Sequence, residues 1–168
     1  MIYKYDVRAK KYTMHDISKK KISKYLFPSF WDLLNGTIFA SGGITEEGGV
    51  DPVGNAYVIE GYQSKVTHAD SMITPRYKHE LVFWNKWVYA LGGYTKKRII
   101  TKNVEKFDFQ IGEWEKLPQM FHERADFTAI SSQRSNSVYV FGGCLLEENS
   151  LIIEKFDWRW EVWVELKI

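Results

Sequence analysis

The sequence predicts an all-β chain built from a repeated four-stranded antiparallel unit, and three observations predict it. Aromatic residues make up 16% of the 168 residues, as 10 Phe, 10 Tyr and 7 Trp, a composition that suits pleated, half-buried strands better than helices. The glycine pairs Gly42-Gly43, Gly92-Gly93 and Gly142-Gly143 recur at a constant spacing of 50 residues. An aromatic-Asp step with a large aromatic seven residues after its first member recurs as Phe107-Asp108 then Trp114, Phe156-Asp157 then Trp163, and Tyr5-Asp6 then Tyr12.

Each element of the unit follows from local chemistry. The glycine pairs end the apolar runs Thr37–Ser41, Trp87–Leu91 and Val138–Phe141, which lack strict alternation and so read as strands buried on both faces. Two residues without Cβ let the chain bend and a neighbouring backbone come close. The aromatic-Asp step reads as a hairpin: a strand ending near Phe107, a turn that Asp108 braces, and a strand carrying Trp114. In the first full unit this frame weakens to Ile59-Glu60 then Val66, so that unit is expected to be the most irregular. Met72 and Arg76 recur as Met120 and Arg124, both shifted by 48 residues. Each pair precedes an apolar strand candidate, His79 to Trp84 or Asp126 to Ile130. The order is strand a, strand b ending in Gly-Gly, a variable b-c loop, strand c, a turn, strand d, then Met and Arg leading to the next strand a. The last strand mixes apolar and charged residues, as in Trp114-Glu115-Lys116-Leu117, and is expected at a solvated rim.

Composition narrows the function. With 45% hydrophobic and 26% charged residues, the chain has enough apolar surface for a core. Lys and Arg total 23 against 21 Asp and Glu, a balance that argues against a nucleic-acid or membrane surface. The single cysteine, Cys144, forms no internal disulfide and belongs to no zinc cluster, which fits a reducing, cytoplasmic setting. No run of about 18 apolar residues occurs.

The Gly-Gly pairs, the aromatic-Asp step, the spaced Trp and the Met-x-x-x-Arg tail together resemble the kelch motif. The resemblance implies four-stranded β-propeller blades and covers nearly the whole chain. The expected fold is an all-β, kelch-type β-propeller segment of about three four-stranded antiparallel blades plus a c-d half-blade. Its divisions are residues 1–24 (half-blade and basic loop), 25–74 (a degenerate blade), 75–122 and 123–168. Closed propellers use about four to eight blades. The remainder is therefore expected from a longer chain, from a second copy or from a partner.

The resemblance also implies that partners dock at the b-c and d-a loops around one mouth of the channel. These loops differ in charge: Thr45–Pro52 is acidic and Gly-rich, Thr95–Arg98 is basic, and the third holds Glu147-Glu148. The expected partner-binding residues are Arg76, His79, Tyr94, Lys96, Lys97, Arg98, Arg124 and Glu147, with Arg76 and Arg124 offering a fork of donors to a partner carboxylate. Repetition in successive blades gives those two arginines a competing structural reading, as it does Glu105 and Glu154. His79 has the competing reading of a packed histidine.

No catalytic residue, cofactor site or metal site is expected. The four histidines fall at scattered positions, and no nucleophile elbow, phosphate loop or dinucleotide fingerprint is present. Cys144 reads as a buried, inert thiol. The basic run Lys19–Lys24 lacks the interleaved aromatics of a single-strand nucleic-acid platform. The expected function is a non-catalytic protein-interaction scaffold. The alternatives are a sugar-active or oxidase-type propeller enzyme and a self-assembling structural half-propeller.

Overall fold

A computed structural model describes residues 2–6, 8–15, 25–26, 29–33, 36–45, 51–60, 65–144 and 152–166. The described residues form sixteen strands: β1 (Ile2–Asp6), β2 (Lys11–His15), β3 (Tyr25–Leu26), β4 (Ser29–Asp32), β5 (Thr37–Ser41), β6 (Ile44–Thr45), β7 (Ala56–Glu60), β8 (Lys65–Ala69), β9 (Glu80–Trp84), β10 (Trp87–Leu91), β11 (Val104–Asp108), β12 (Glu113–Leu117), β13 (Thr128–Ser132), β14 (Ser137–Phe141), β15 (Ile153–Asp157) and β16 (Val162–Leu166). Three four-stranded antiparallel sheets run in the orders β4-β5-β7-β8, β9-β10-β11-β12 and β13-β14-β15-β16. The hairpin β1-β2 pairs Tyr5 with Tyr12 and is the expected c-d half-unit. The first unit also carries the small ribbon β3-β6, which among the described residues is reduced to the single bridges Tyr77–Tyr94 and Ala125–Cys144 in the second and third.

Register explains the repeated landmarks. Phe107 lies opposite Trp114 and Phe156 opposite Trp163, so each aromatic pair shares one face of its sheet. Asp108 accepts from the Gln110 amide at 2.8 Å and from the Trp87 indole at 3.0 Å, and Asp157 accepts from the Arg159 amide at 3.0 Å. These bonds brace the c-d turns, as the sequence predicts.

The sheets stack face to face, with β9 lying between β4 and β13, so the a strands are neighbours and the d strands form the outer edge. One core lies between the first and second sheets around Phe39, Leu81, Val88, Phe107 and Trp114. A second lies between the second and third around Val82, Tyr89, Leu91, Phe156 and Trp163. The wet outer strand is also as expected, since in β12 and β16 the buried residues are Trp114 and Trp163 alone.

The glycine pairs sit at these seams. A Cβ on Gly92, whose φ is +57°, would stand 2.4 Å from the Arg124 carbonyl oxygen; one on Gly42, φ +68°, would stand 2.3 Å from that of Arg76. Both the conformation and the space require glycine. The buried Met72 and Met120 reach over the same two glycines.

Candidate functional site

The arginines expected at the channel mouth lie inside the protein. Arg76 and Arg124 are both 0% exposed. Arg76 donates through Nη1 to the Gly92 and Asn103 carbonyls, both at 2.9 Å, through Nε to the Thr74 carbonyl at 3.1 Å, and through Nη2 to Glu105. Arg124 donates through Nη1 to the Gly142 carbonyl at 2.8 Å, and through Nε and Nη2 to Glu154 at 3.1 and 3.0 Å. The two carboxylates are also 0% exposed. Glu105 accepts the amides of Ile73 and Thr74 at 2.9 and 3.0 Å, and Glu154 those of Phe121 and His122 at 2.6 and 3.3 Å.

The main chain completes this joint, because the Arg76 carbonyl accepts from the Gly43 amide at 2.9 Å and the Arg124 carbonyl from the Gly93 amide at 2.6 Å. Each arginine thus ties the glycine pair of one sheet, through its backbone, to that of the next, through its guanidinium. The expectation that they meet a partner carboxylate is corrected: their carboxylate is internal, and no donor reaches the surface. Burial alone would lower the Arg76 pKa, and the adjoining Glu105 carboxylate opposes that fall.

His79 is likewise withdrawn from the mouth. It is 4% exposed, with Nε2 3.0 Å from the Ser41 hydroxyl across the seam between the first and second sheets. Its Nδ1 is buried, with no hydrogen-bond partner among the described residues. Burial, and secondarily the Arg76 charge, push its pKa well below the ordinary histidine value. In the next unit Phe127 takes the equivalent place, packing on Gly143 as His79 packs on Gly93.

The remaining expected residues lie around the exposed loop end. Tyr94 is half-buried, its ring stacked on Tyr77 at 5.2 Å. A hydrogen bond to Cys144 pushes its phenol pKa up to about 12. Cys144 is exposed, correcting the expectation of a buried thiol: the preceding glycine pair turns the chain out of the sheet before Cys144 pairs with Ala125. Beside them Lys78 and Asp126 form an ion pair at 2.7 Å. Lys96, Lys97 and Arg98 are exposed in a short 3₁₀ turn, and of the three only Lys96 forms an ion pair among the described residues, with Asp51 at 3.3 Å. Glu147 lies outside the described residues.

Sequence reasoning missed Glu105 and Glu154 as internal partners. Their separation of 49 residues nearly matches the 48 of Arg76 and Arg124, and equal offsets are the signal of a pair kept together in each unit. Among the described residues, no group of three or more His, Cys, Asp and Glu side chains is placed to hold a metal ion. No helix among them is long and apolar enough to cross a membrane.

Residues 75–121, which contain β9 to β12 and the Met120 that follows, match the family model described as the kelch motif. Those residues carry a kelch motif. The chain is 32% identical over 80 residues to a kelch repeat-containing protein of Dictyostelium discoideum, covering 46% of this chain and 12% of that protein. It is 28% identical over 92 residues to a protein of Arabidopsis thaliana named for an F-box and kelch repeats, covering 55% of this chain and 25% of that protein. The match therefore spans no more than a quarter of either relative. Kelch repeats generally mediate protein–protein interaction, and the stacked sheets described above are blades of a partial kelch β-propeller.

Proposed function

We propose that this kelch segment is a non-catalytic scaffold that holds a protein partner at its b-c and d-a loops. The observation that carries the reading is a division of charge. The repeated cations Arg76 and Arg124 are consumed inside the blades, whereas the singular Lys97 and Arg98 stand exposed on a loop fixed to two strands. Variable, charged loops on a rigid sheet are where specificity sits in such scaffolds, and a few residues dominate the affinity. Tyr94, Lys96, Lys97 and Arg98 form the proposed docking patch, with Glu147 on the corresponding loop of the third blade. The division into residues 1–24, 25–74, 75–122 and 123–168 belongs to this reading, as do a cytoplasmic setting and an adaptor or cytoskeletal role.

Lys97→Glu tests it. The variant is expected to melt within about 0.5 kcal/mol of the parent, since an exposed substitution breaks no packing, and to lose cross-links between the loop end and partners captured from cell extract. Undiminished cross-linking to the same partners would refute loop-end docking.

A further inference from the structure

His79 occupies a slot between two glycine pairs. Its ring lies against the first pair, where a Cβ built on Gly42 would stand 2.7 Å from His79 Cε1, and its own Cβ lies against the second, 2.7 Å from a Cβ built on Gly93. Phe127 fills the equivalent slot one blade on, with its ring against Gly92 and its Cβ against Gly143. The residue before each glycine pair changes in step. It is the buried Ser41, 3.0 Å from His79 Nε2, in the first joint, and the buried, apolar Leu91 in the second. Ser29 adds another hydroxyl to the first joint, donated to the His79 carbonyl. One joint is therefore polar where its repeat is apolar.

The polar joint is costly even at rest, because Nδ1 is buried with no partner among the described residues and a hydrogen bond left unmade in the interior is destabilising. A proton on the ring adds to that cost, since both nitrogens then need acceptors and the new charge is held away from water. The groups around the ring do not balance it. Arg76, ahead of β9, adds a like charge, and the Glu105 carboxylate of β11 is committed to that guanidinium and to the Ile73 and Thr74 amides. Lys78 pairs with Asp126, and Glu80 is hydrogen-bonded to Thr128 of the third sheet. Tyr77 and Tyr94 stack on each other. From the first sheet, the groups bonded to His79 among the described residues are the uncharged hydroxyls of Ser29 and Ser41.

We propose that His79 is a proton-operated latch on the joint between the first and second blades. On acidification the protonated ring leaves its slot, and the first glycine pair comes free of the second blade while the joint held by Phe127 stays shut. The bond released is that from the Gly43 amide to the Arg76 carbonyl, 2.9 Å long. The Arg76 guanidinium is bonded to Gly92, Asn103 and Glu105, all within the second blade, and stays in place. So does the apolar core around Phe39 and Trp114, which makes this a local opening, cheaper than unfolding. The b-c loop of the first blade leaves the joint at Gly43 and returns at Val53, whose amide donates to the Gly43 carbonyl at 2.8 Å. An open latch therefore loosens the base of that loop. The inference stands independently of loop-end docking.

Amide hydrogen exchange followed by NMR on the full chain tests this, with protection corrected for the intrinsic pH dependence of exchange. The Gly43 amide reports the first joint, and the Gly93 amide, bonded to the Arg124 carbonyl, reports the second. Between about pH 7.5 and about pH 5.5 the protection of Gly43 is expected to fall roughly tenfold, because the ring titrates near its ordinary value once the latch is open. At the lower pH its exchange is expected to outpace that of Gly93 and to be nearly insensitive to dilute urea, since a local opening exposes little surface. His79→Phe, which copies the second joint, is expected to abolish the fall. His79→Gln, polar but with no proton to gain, is expected to abolish it too.

Unchanged protection of Gly43 over that range overturns the proposal, as does a fall that survives in both variants. Exchange at Gly43 that responds to urea as steeply as global unfolding also overturns it, and confines His79 to the stability of the whole chain. Equal, urea-insensitive loss at Gly43 and Gly93 overturns it as well, because acid then loosens both joints without regard to the histidine.

Discussion

Two buried charges of opposite sign in each of two blades place unusual weight on single residues. A buried ion pair is weak evidence of net stability, since desolvation offsets attraction, but removing one partner leaves an uncompensated charge and costs about 3–5 kcal/mol. Glu105→Ala strips Arg76 of its counter-ion and frees the Ile73 and Thr74 amides. It is expected to lower stability by about that amount in denaturant titration, whereas Glu115→Ala, on an exposed residue of β12, stays within about 1 kcal/mol.

His79 gives a pH dependence of definite sign. Its folded-state pKa is depressed by burial and by Arg76, so below the unfolded value of about 6.5 the unfolded chain binds a proton that the native chain refuses. Stability is therefore complete above about pH 6.5 and falls as pH drops toward the folded-state value, by as much as about 1.4 kcal/mol per unit. His79→Phe, the residue that the next blade uses at this place, is expected to flatten the loss between pH 7 and 5. Parallel thermal scans of parent and variant measure it, and identical slopes would show that His79 is not the group responsible.

At the scale of the element, the indole groups fix how one blade leans on another. The Trp114 indole donates to the Asp70 carbonyl at 2.8 Å and the Trp163 indole to the Pro118 carbonyl at 2.9 Å, each reaching back to the end of the preceding d strand. Trp163→Phe removes this bond while keeping much of the ring's contact with Phe156. It is expected to cost about 1–3 kcal/mol through the carbonyl left behind and the volume lost, read as a drop in melting temperature.

These elements were largely legible in the sequence because their determinants are local and periodic: an apolar run closed by Gly92-Gly93, or an acid two residues before the amide it captures. The partners of Arg76 were less legible. Whether a repeated guanidinium faces solvent or a buried carboxylate depends on a residue 29 positions away, so only matching the two offsets joins them. Cys144 misled for a related reason, since Val138 and Val140 of the strand before it are buried while the turn after the glycines carries it outward. The left-handed backbone at Lys97 and Arg98, with φ of 59° and 57°, had no signature, because those residue types rarely adopt it.

Across the whole molecule the two seams are alike and the outer face of the third blade differs from both. Phe39 in β5 is covered by Phe107, Phe109 and Trp114 of the second blade, and Tyr89, 50 residues on, is covered by Trp158 of the third. Tyr139 repeats the same position and is partly exposed, on a face that strand pairing shares with Ile130, Phe141, Val162 and Val164 and with the charged Lys155 and Asp157. Ile130, Val162 and Val164 are 58%, 46% and 45% exposed, while Val82, the second-blade counterpart of Ile130, is fully buried. An apolar sheet face of this kind promotes association. I130T/V164T keeps β-branched residues on the strands while adding hydroxyls, so the blade should still form. The double variant is expected to melt near the parent temperature and to scatter less light at high micromolar concentration. Unchanged scattering with unchanged melting would show that the face between β13 and β16 is not what draws chains together.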